Sequence, residues 1–180
     1  MIKKILFLIV VAIVALLVAV AVQPDRFSVQ RSAVLDASPS ALFPQVNSHR
    51  NFVKWNPFNE LDPNVRNTFA GPESGVGAVC SWKGNGQIGA GSSTIIESRP
   101  NELVRLRMDW KEPMEGTSNV DFTFEPRDGG TLVTWKMYGP QTFAGKAISL
   151  FMSAEKMCGP MFEKGLRNLE VAARDTRISH

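Results

Sequence analysis

The chain has 180 residues, 44% apolar and 21% charged, a balance that suits a folded globular protein and is too apolar for a disordered one. Its formal net charge is +3, and Lys3 and Lys4 supply two of those charges, leaving +1 for everything after them. No basic stripe with interleaved aromatics accompanies that charge, so nucleic acid is not expected as a partner.

Residues 5–22, from Ile5 through Val22, form an unbroken apolar run behind Lys3 and Lys4, and Gln23, Pro24 and Asp25 end it. At helical rise the run covers about 27 Å, close to the roughly 30 Å hydrocarbon core of a bilayer. Ala19-Val20-Ala21 would also suit signal-peptide cleavage, but a signal core is usually about 7–15 apolar residues, shorter than this one, and a polar region normally precedes the cut. A buried core helix would show a polar face somewhere, and none exists. Residues 1–23 are therefore expected to be an uncleaved transmembrane anchor. The positive-inside rule places the N-terminus in the cytoplasm and the following domain, residues 24–175, outside a cell membrane crossed once. Residues 176–180 are a polar tail.

Phe27, Val29, Ala33 and Leu35 alternate imperfectly along a strand over 27–36. Ser38 then suits a helix N-cap and Pro39 the first helical position, opening a short helix through Leu42, Phe43 and Val46 that contains Pro44. Residues 51–58 (NFVKWNPF) read as a second short helix or turn stopped at Asn56-Pro57. From residue 64 the pattern is β. Strands are expected over 65–69, 78–83, 91–98, 102–110, 117–126 and 131–138. The run GPESGVG (71–77) is a loop between the first two of these, and Gly84-Asn85-Gly86 and Asp128-Gly129-Gly130 are turns. Val104, Leu106, Met108 and Trp110 face one way and Arg105, Arg107 and Asp109 the other. Val120, Phe122 and Phe124, and then Val133, Trp135 and Met137, repeat that alternation. This is an antiparallel meander with one buried and one wet face. From Phe143 to about Arg174 the spacing turns helical, as one long helix or two collinear pieces broken at Gly159-Pro160.

Certain groups of residues occur in a particular order: Arg31-Ser32, Ala37-Ser38-Pro39, residues 52–58, GPESGVG, Trp82 before Gly84-Asn85, residues 130–135 (GTLVTW) and residues 162–166 (FEKGL). Together they resemble the membrane-anchored members of the polyketide cyclase/dehydrase and lipid transport-like branch of the START/Bet v 1-like helix-grip (SRPBCC) superfamily, over essentially the whole chain. Phe52 and Cys80 depart from the resemblance, since Trp is frequent at the first position and a bulkier residue ordinary at the second. The resemblance implies an α+β helix-grip fold, a curved antiparallel sheet wrapped on a long C-terminal helix. It also implies an apolar cavity between them for a lipid or other hydrophobic small molecule.

The bulky apolar residues of the inner face and last helix are the expected ligand-binding set: Trp82, Met108, Trp110, Phe122, Phe124, Trp135, Met137, Phe151, Met152 and Phe162. Met-rich linings reshape around a ligand. For catalysis the candidates are few. A carboxyl in an apolar cavity can hold a proton near neutral pH. Glu97, on the face of Ile95, and Glu73, at the loop, are the two carboxylates placed for that. His49 reads as a surface residue, and His180 is the last residue of the chain. The GPESGVG loop lacks the Lys-Ser/Thr and following helix of a phosphate cradle. No metal-ligand spacing or cofactor motif occurs, so neither a metal nor a cofactor is expected. Cys80 and Cys158 form no CxxC; outside the cell they could pair, and in the cytoplasm they would be packed thiols. The expected function is binding of a hydrophobic molecule or lipid at a membrane surface. A cyclase-, dehydratase- or hydrolase-like enzyme using a cavity carboxylate, and a protein-interaction module working through the sheet exterior, are the alternatives.

Overall fold

The computed structural model describes residues 2–150 and 152–178. Helix α1 (Ile2–Ala21) is exposed along its length except at Ala19 and Val20, and it is long and apolar enough to cross a membrane. After a short connection come β1 (Arg26–Leu35), α2 (Pro39–Asn47), α3 (His49–Trp55) and a 3-10 turn (Pro57–Leu61). The chain then runs β2 (Arg66–Ala70), β3 (Val79–Lys83), β4 (Ala90–Arg99), β5 (Leu103–Glu112), β6 (Gly116–Arg127) and β7 (Gly130–Pro140). It ends with α4 (Phe143–Ser149) and α5 (Ala154–Ile178).

The seven strands form one antiparallel sheet in the order β1-β7-β6-β5-β4-β3-β2. Its register carries the inner face across the sheet: Leu106 lies opposite Val120, Val120 opposite Met137, and Met137 opposite Val29. Helix α5 lays Phe162, Leu166, Leu169 and Ala173 on that face, a spacing of three or four that keeps one stripe buried. This is the α+β helix-grip architecture. Helix α2 closes one end with Leu42 and Val46, both fully buried.

Three details differ from the sequence expectations, and a fourth answers a point the sequence left open. Ser38 does not cap α2 through its side chain; its hydroxyl is instead 2.9 Å from that of Ser40. The C-terminal helical stretch is split between the end of α4 at Ser149 and the start of α5 at Ala154, while Gly159-Pro160 lies inside α5. Ser153 accounts for the restart, its oxygens taking the Lys156 N–H in the first turn of α5. Arg31, the residue that spoiled the alternation of β1, points inward with its neighbours Val29 and Ala33. Its guanidinium lies where a Cβ on Gly159 would sit, and it binds Glu155 and Glu163 (2.6 Å), fastening α5 to the sheet edge. Finally, Cys80 and Cys158 are free thiols, both pushed up to about 11 by burial.

Candidate functional site

The inner face of the sheet divides along the strands into two parts. Its middle is filled by rings. Trp135 stacks on Phe162 of α5 with centroids 4.3 Å apart and planes 9° apart, and it meets Phe122 at 4.7 Å. Phe52, Trp55 and Phe58 surround it edge-on at 6.2, 5.8 and 6.4 Å. Gly165 allows this closure, since a Cβ there would lie 2.4 Å from Trp135. Phe124 is buried against Phe43 of α2. So Phe122, Phe124, Trp135 and Phe162, four of the sequence-predicted lining residues, are packed against one another and against α2 and α3. Phe52, Trp55 and Phe58 complete that plug and were not in the predicted set; their aromatic run beside Pro57 was the available signal.

The other part lies toward the end of the sheet where β1 begins and β7 ends. Trp82 and Trp110 meet edge to face at 5.5 Å across β4, over Gly91, whose missing side chain leaves the room: a Cβ there would lie 2.7 Å from the Trp82 ring. The Trp110 indole N–H donates to Ser118 Oγ at 3.0 Å and that of Trp82 to the Ile88 carbonyl at 3.3 Å. Met108 and Met137 stand beside them on the same face, and all four side chains are half-buried. They form an apolar shelf that the rings do not cover. Met152, between α4 and α5, is half exposed, and Phe151 lies outside the described residues.

Neither candidate carboxylate reaches this face. A bulge at Ile96 shifts the register between Ile95 and Glu97, so Ile95 opposes the inward Leu106 while Glu97 opposes the outward Arg105. The unbroken apolar pair Ile95-Ile96 was the sequence sign of that bulge. Glu97 there pairs with Arg105 and Arg99. Arg105 also takes both oxygens of Asp121 at 2.8 Å, which holds its guanidinium more firmly charged than usual. The outward cations Arg105, Arg107 and Lys136 are thus interleaved with acids. Glu112, at the exposed tip of β5, pairs with Ala90 beyond a second register shift, between Ala90 and Gly91, and does not continue the inward series that ends at Trp110.

Glu73 lines a separate groove of about 550 Å³ beside β2 and β3, with His49, Arg50, Phe69 and Pro72. The Arg50 guanidinium sits 4.7 Å over the Phe69 ring. His49 is not a surface residue but is 3% exposed, its ring facing the carbonyls of Ala78 and Ser93, and burial lowers its pKa to about 4. Its Nε2 and the buried Ser93 Oγ have no hydrogen-bond partner. His49 falls three residues after Val46 and three before Phe52, both apolar contacts of the core, and that spacing carried the signal of its burial. No group of three metal-ligating side chains occurs among the described residues.

Residues 26–174 match the family described as polyketide cyclase / dehydrase and lipid transport. Solved structures share the fold at low identity. A protein designated CV1439 from Chromobacterium violaceum is 15% identical with a TM-score of 0.58, over 84% of this chain and 98% of that one. Aha1 from Colwellia psychrerythraea, solved as a dimer, is 17% identical with a TM-score of 0.58, over 82% and 96%. The di-domain aromatase/cyclase StfQ of steffimycin biosynthesis is 9% identical with a TM-score of 0.60, over 84% of this chain and 52% of that one. None of the curated proteins matches the sequence. The chain belongs to the polyketide cyclase / dehydrase and lipid transport family.

Proposed function

We propose that this chain binds a lipid or other hydrophobic small molecule on the shelf of Trp82, Met108, Trp110 and Met137, at the end of the sheet where α1 and α4 attach, while α1 holds it at a membrane. The observation that carries the reading is that shelf: four large apolar side chains at inward positions, left half-buried although rings fill the rest of the same face. Large apolar side chains with an uncovered face and a few placed polar groups characterise small-molecule sites. Ser118 and Ser93, the polar side chains on that face of β6 and β4, would orient one end of the ligand. The anchor keeps the shelf where apolar molecules partition. Lys3 and Lys4 before the span favour a cytoplasmic N-terminus and a domain on the other side.

Native mass spectrometry of the full chain released from mild detergent tests this. An apolar species bound in stoichiometric amount is expected, retained in Val171→Ala and lost in Met108→Trp, which fills the shelf. Absence of any bound apolar species, or equal retention in Met108→Trp, would overturn it.

A further inference from the structure

The register fixes which end of the sheet holds the shelf. Arg26 opposes Pro140, Asn119 opposes Tyr138, Trp110 opposes Gly116, Ala90 opposes Glu112 and Lys83 opposes Ala90. The start of β1, the end of β7 and the tips of the β3–β4 and β5–β6 hairpins therefore lie together. The shelf tryptophans, at Trp82 and Trp110, are within a residue or two of those tips.

Helix α1 enters at this same end, and several contacts fix it there. Val20 is buried where α1 meets α4. Five residues later the Asp25 carbonyl accepts from the Gln141 N–H at 2.8 Å, and its carboxylate binds Lys146 of α4. Thr142 caps α4, taking the Gly145 N–H at 3.1 Å. So α4 cannot stand far from the point where α1 leaves its apolar surroundings. On that end Phe143, Ile148, Met152 and Met157, with Met114 at the β5–β6 tip, are 42–58% exposed. The opposite end shows Val34, Val76, Ile96 and Val171 exposed, each on a different segment of the chain. Exposed cations at the α1 end (Arg26, Arg66, Lys83, Lys111 and Lys156) outnumber the exposed, unpaired acids Glu112 and Glu115. Clustered large apolar side chains rimmed by cations fit the interface of a bilayer carrying anionic lipid.

We infer that the mouth of the sheet–helix space opens onto the bilayer. Helix α4 and the two hairpin tips rest in the interfacial layer, and an apolar ligand passes between lipid and the Trp82–Trp110 shelf without crossing bulk water. This rests on the reading of α1 as a membrane span, and the experiment separates the two.

The full chain, carrying the photoreactive residue benzoylphenylalanine at one position at a time, is reconstituted into vesicles of phosphatidylcholine and phosphatidylglycerol and irradiated. Lipid adducts are read by mass spectrometry. Positions 8, 114, 143, 76 and 171 are all exposed, so the substitutions leave the core intact. Adducts at 8, 143 and 114, with none at 76 and 171, are expected. Adduct at 8 but none at 143 and 114 would overturn the inference and leave the anchor standing. Equal adduct at 76 or 171 would overturn it as well, because the contact would then be indiscriminate. No adduct at 8 would remove the anchor and the inference with it.

Discussion

His49 makes stability depend on pH in a window that can be stated in advance. In the unfolded chain its imidazole titrates near the ordinary 6.5, whereas burial in the fold lowers that to about 4. Above 6.5 both states are neutral and His49 contributes no slope. As pH falls from 6.5 toward 4 the unfolded chain takes up a proton that the native ring refuses, so the native state loses ground; below about 4 both states are protonated and the loss levels off. At about 1.4 kcal/mol per pH unit the full effect is about 3 kcal/mol, of which about two-thirds has accrued by pH 5. That is a large share of the roughly 5–15 kcal/mol that stabilises a typical domain. The assay is urea unfolding of the full chain in non-ionic detergent, followed by tryptophan fluorescence at a series of pH values from 7.5 to 4.5. His49→Gln keeps an N–H for the carbonyls of Ala78 and Ser93 but cannot titrate. The variant should start less stable and then lose less than the wild type between pH 6.5 and 4.5. Carboxylates that begin to titrate near the bottom of that range act on both proteins and cancel in the difference. Parallel loss in the two proteins would refute the reasoning, since His49 would then be titrating alike in both states.

Other substitutions and reagents probe the remaining parts. Gly165→Ala places a Cβ 2.4 Å from the Trp135 ring and 3.2 Å from Pro57. It should cost about 1–3 kcal/mol in urea unfolding, as overpacking does, and should alter the near-ultraviolet dichroism of the stacked Trp135–Phe162 pair. Arg105→Ala leaves Glu97 and the largely covered Asp121 facing each other without their shared cation. Partial exposure limits the cost to about 1–2 kcal/mol, smaller at acid pH where the carboxylates are neutral. A loss that is unchanged at low pH would show that the arginine acts through its stem. Cys80 and Cys158, each pushed up to about 11 by burial, should resist iodoacetamide at pH 8 until urea unfolds the chain; rapid native alkylation of both, read by mass, would contradict their burial.

The strands were legible because alternation is a local property: Val104 to Trp110, Val120 to Phe124 and Val133 to Met137 all face the side their spacing predicts. Elements whose position depends on a partner were harder to read. Glu97 shares the parity of Ile95 in sequence, but the bulge at Ile96 exists because β4 must stay in register with β5 on both sides of it, and that register reversed the face. The helix break between Ser149 and Ala154 was displaced from Gly159-Pro160 for a similar reason. Gly159 is the place where Arg31 reaches across α5, a contact 128 residues away in sequence that no periodicity shows. The family resemblance was legible because several of its pieces touch. Arg31 binds Glu163, and Trp135 packs over Gly165, so motifs separated along the chain are two sides of one interface.

Two glycines decide how the space between sheet and helix is shared out. At Gly165 the absent side chain lets α5 come down on Trp135, and the stacked Phe162 then seals the middle of the sheet with rings. At Gly91 the same absence works on the sheet itself, letting Trp82 lie across β4 toward Trp110, so that a floor of indole forms where α5 has not yet begun. A side chain at the first position would lift the helix and enlarge the middle. One at the second would stand in the shelf and push Trp82 aside. The half-buried tryptophans and methionines of the inner face are thereby confined to the end of the sheet that α1 and α4 share, next to the only segment of the described chain long and apolar enough to cross a bilayer. On the inference above, a ligand drawn from lipid would enter at the end where α4 and the hairpin tips lie. The ring plug would stop it from going deeper, which sets the length of apolar ligand the shelf can hold.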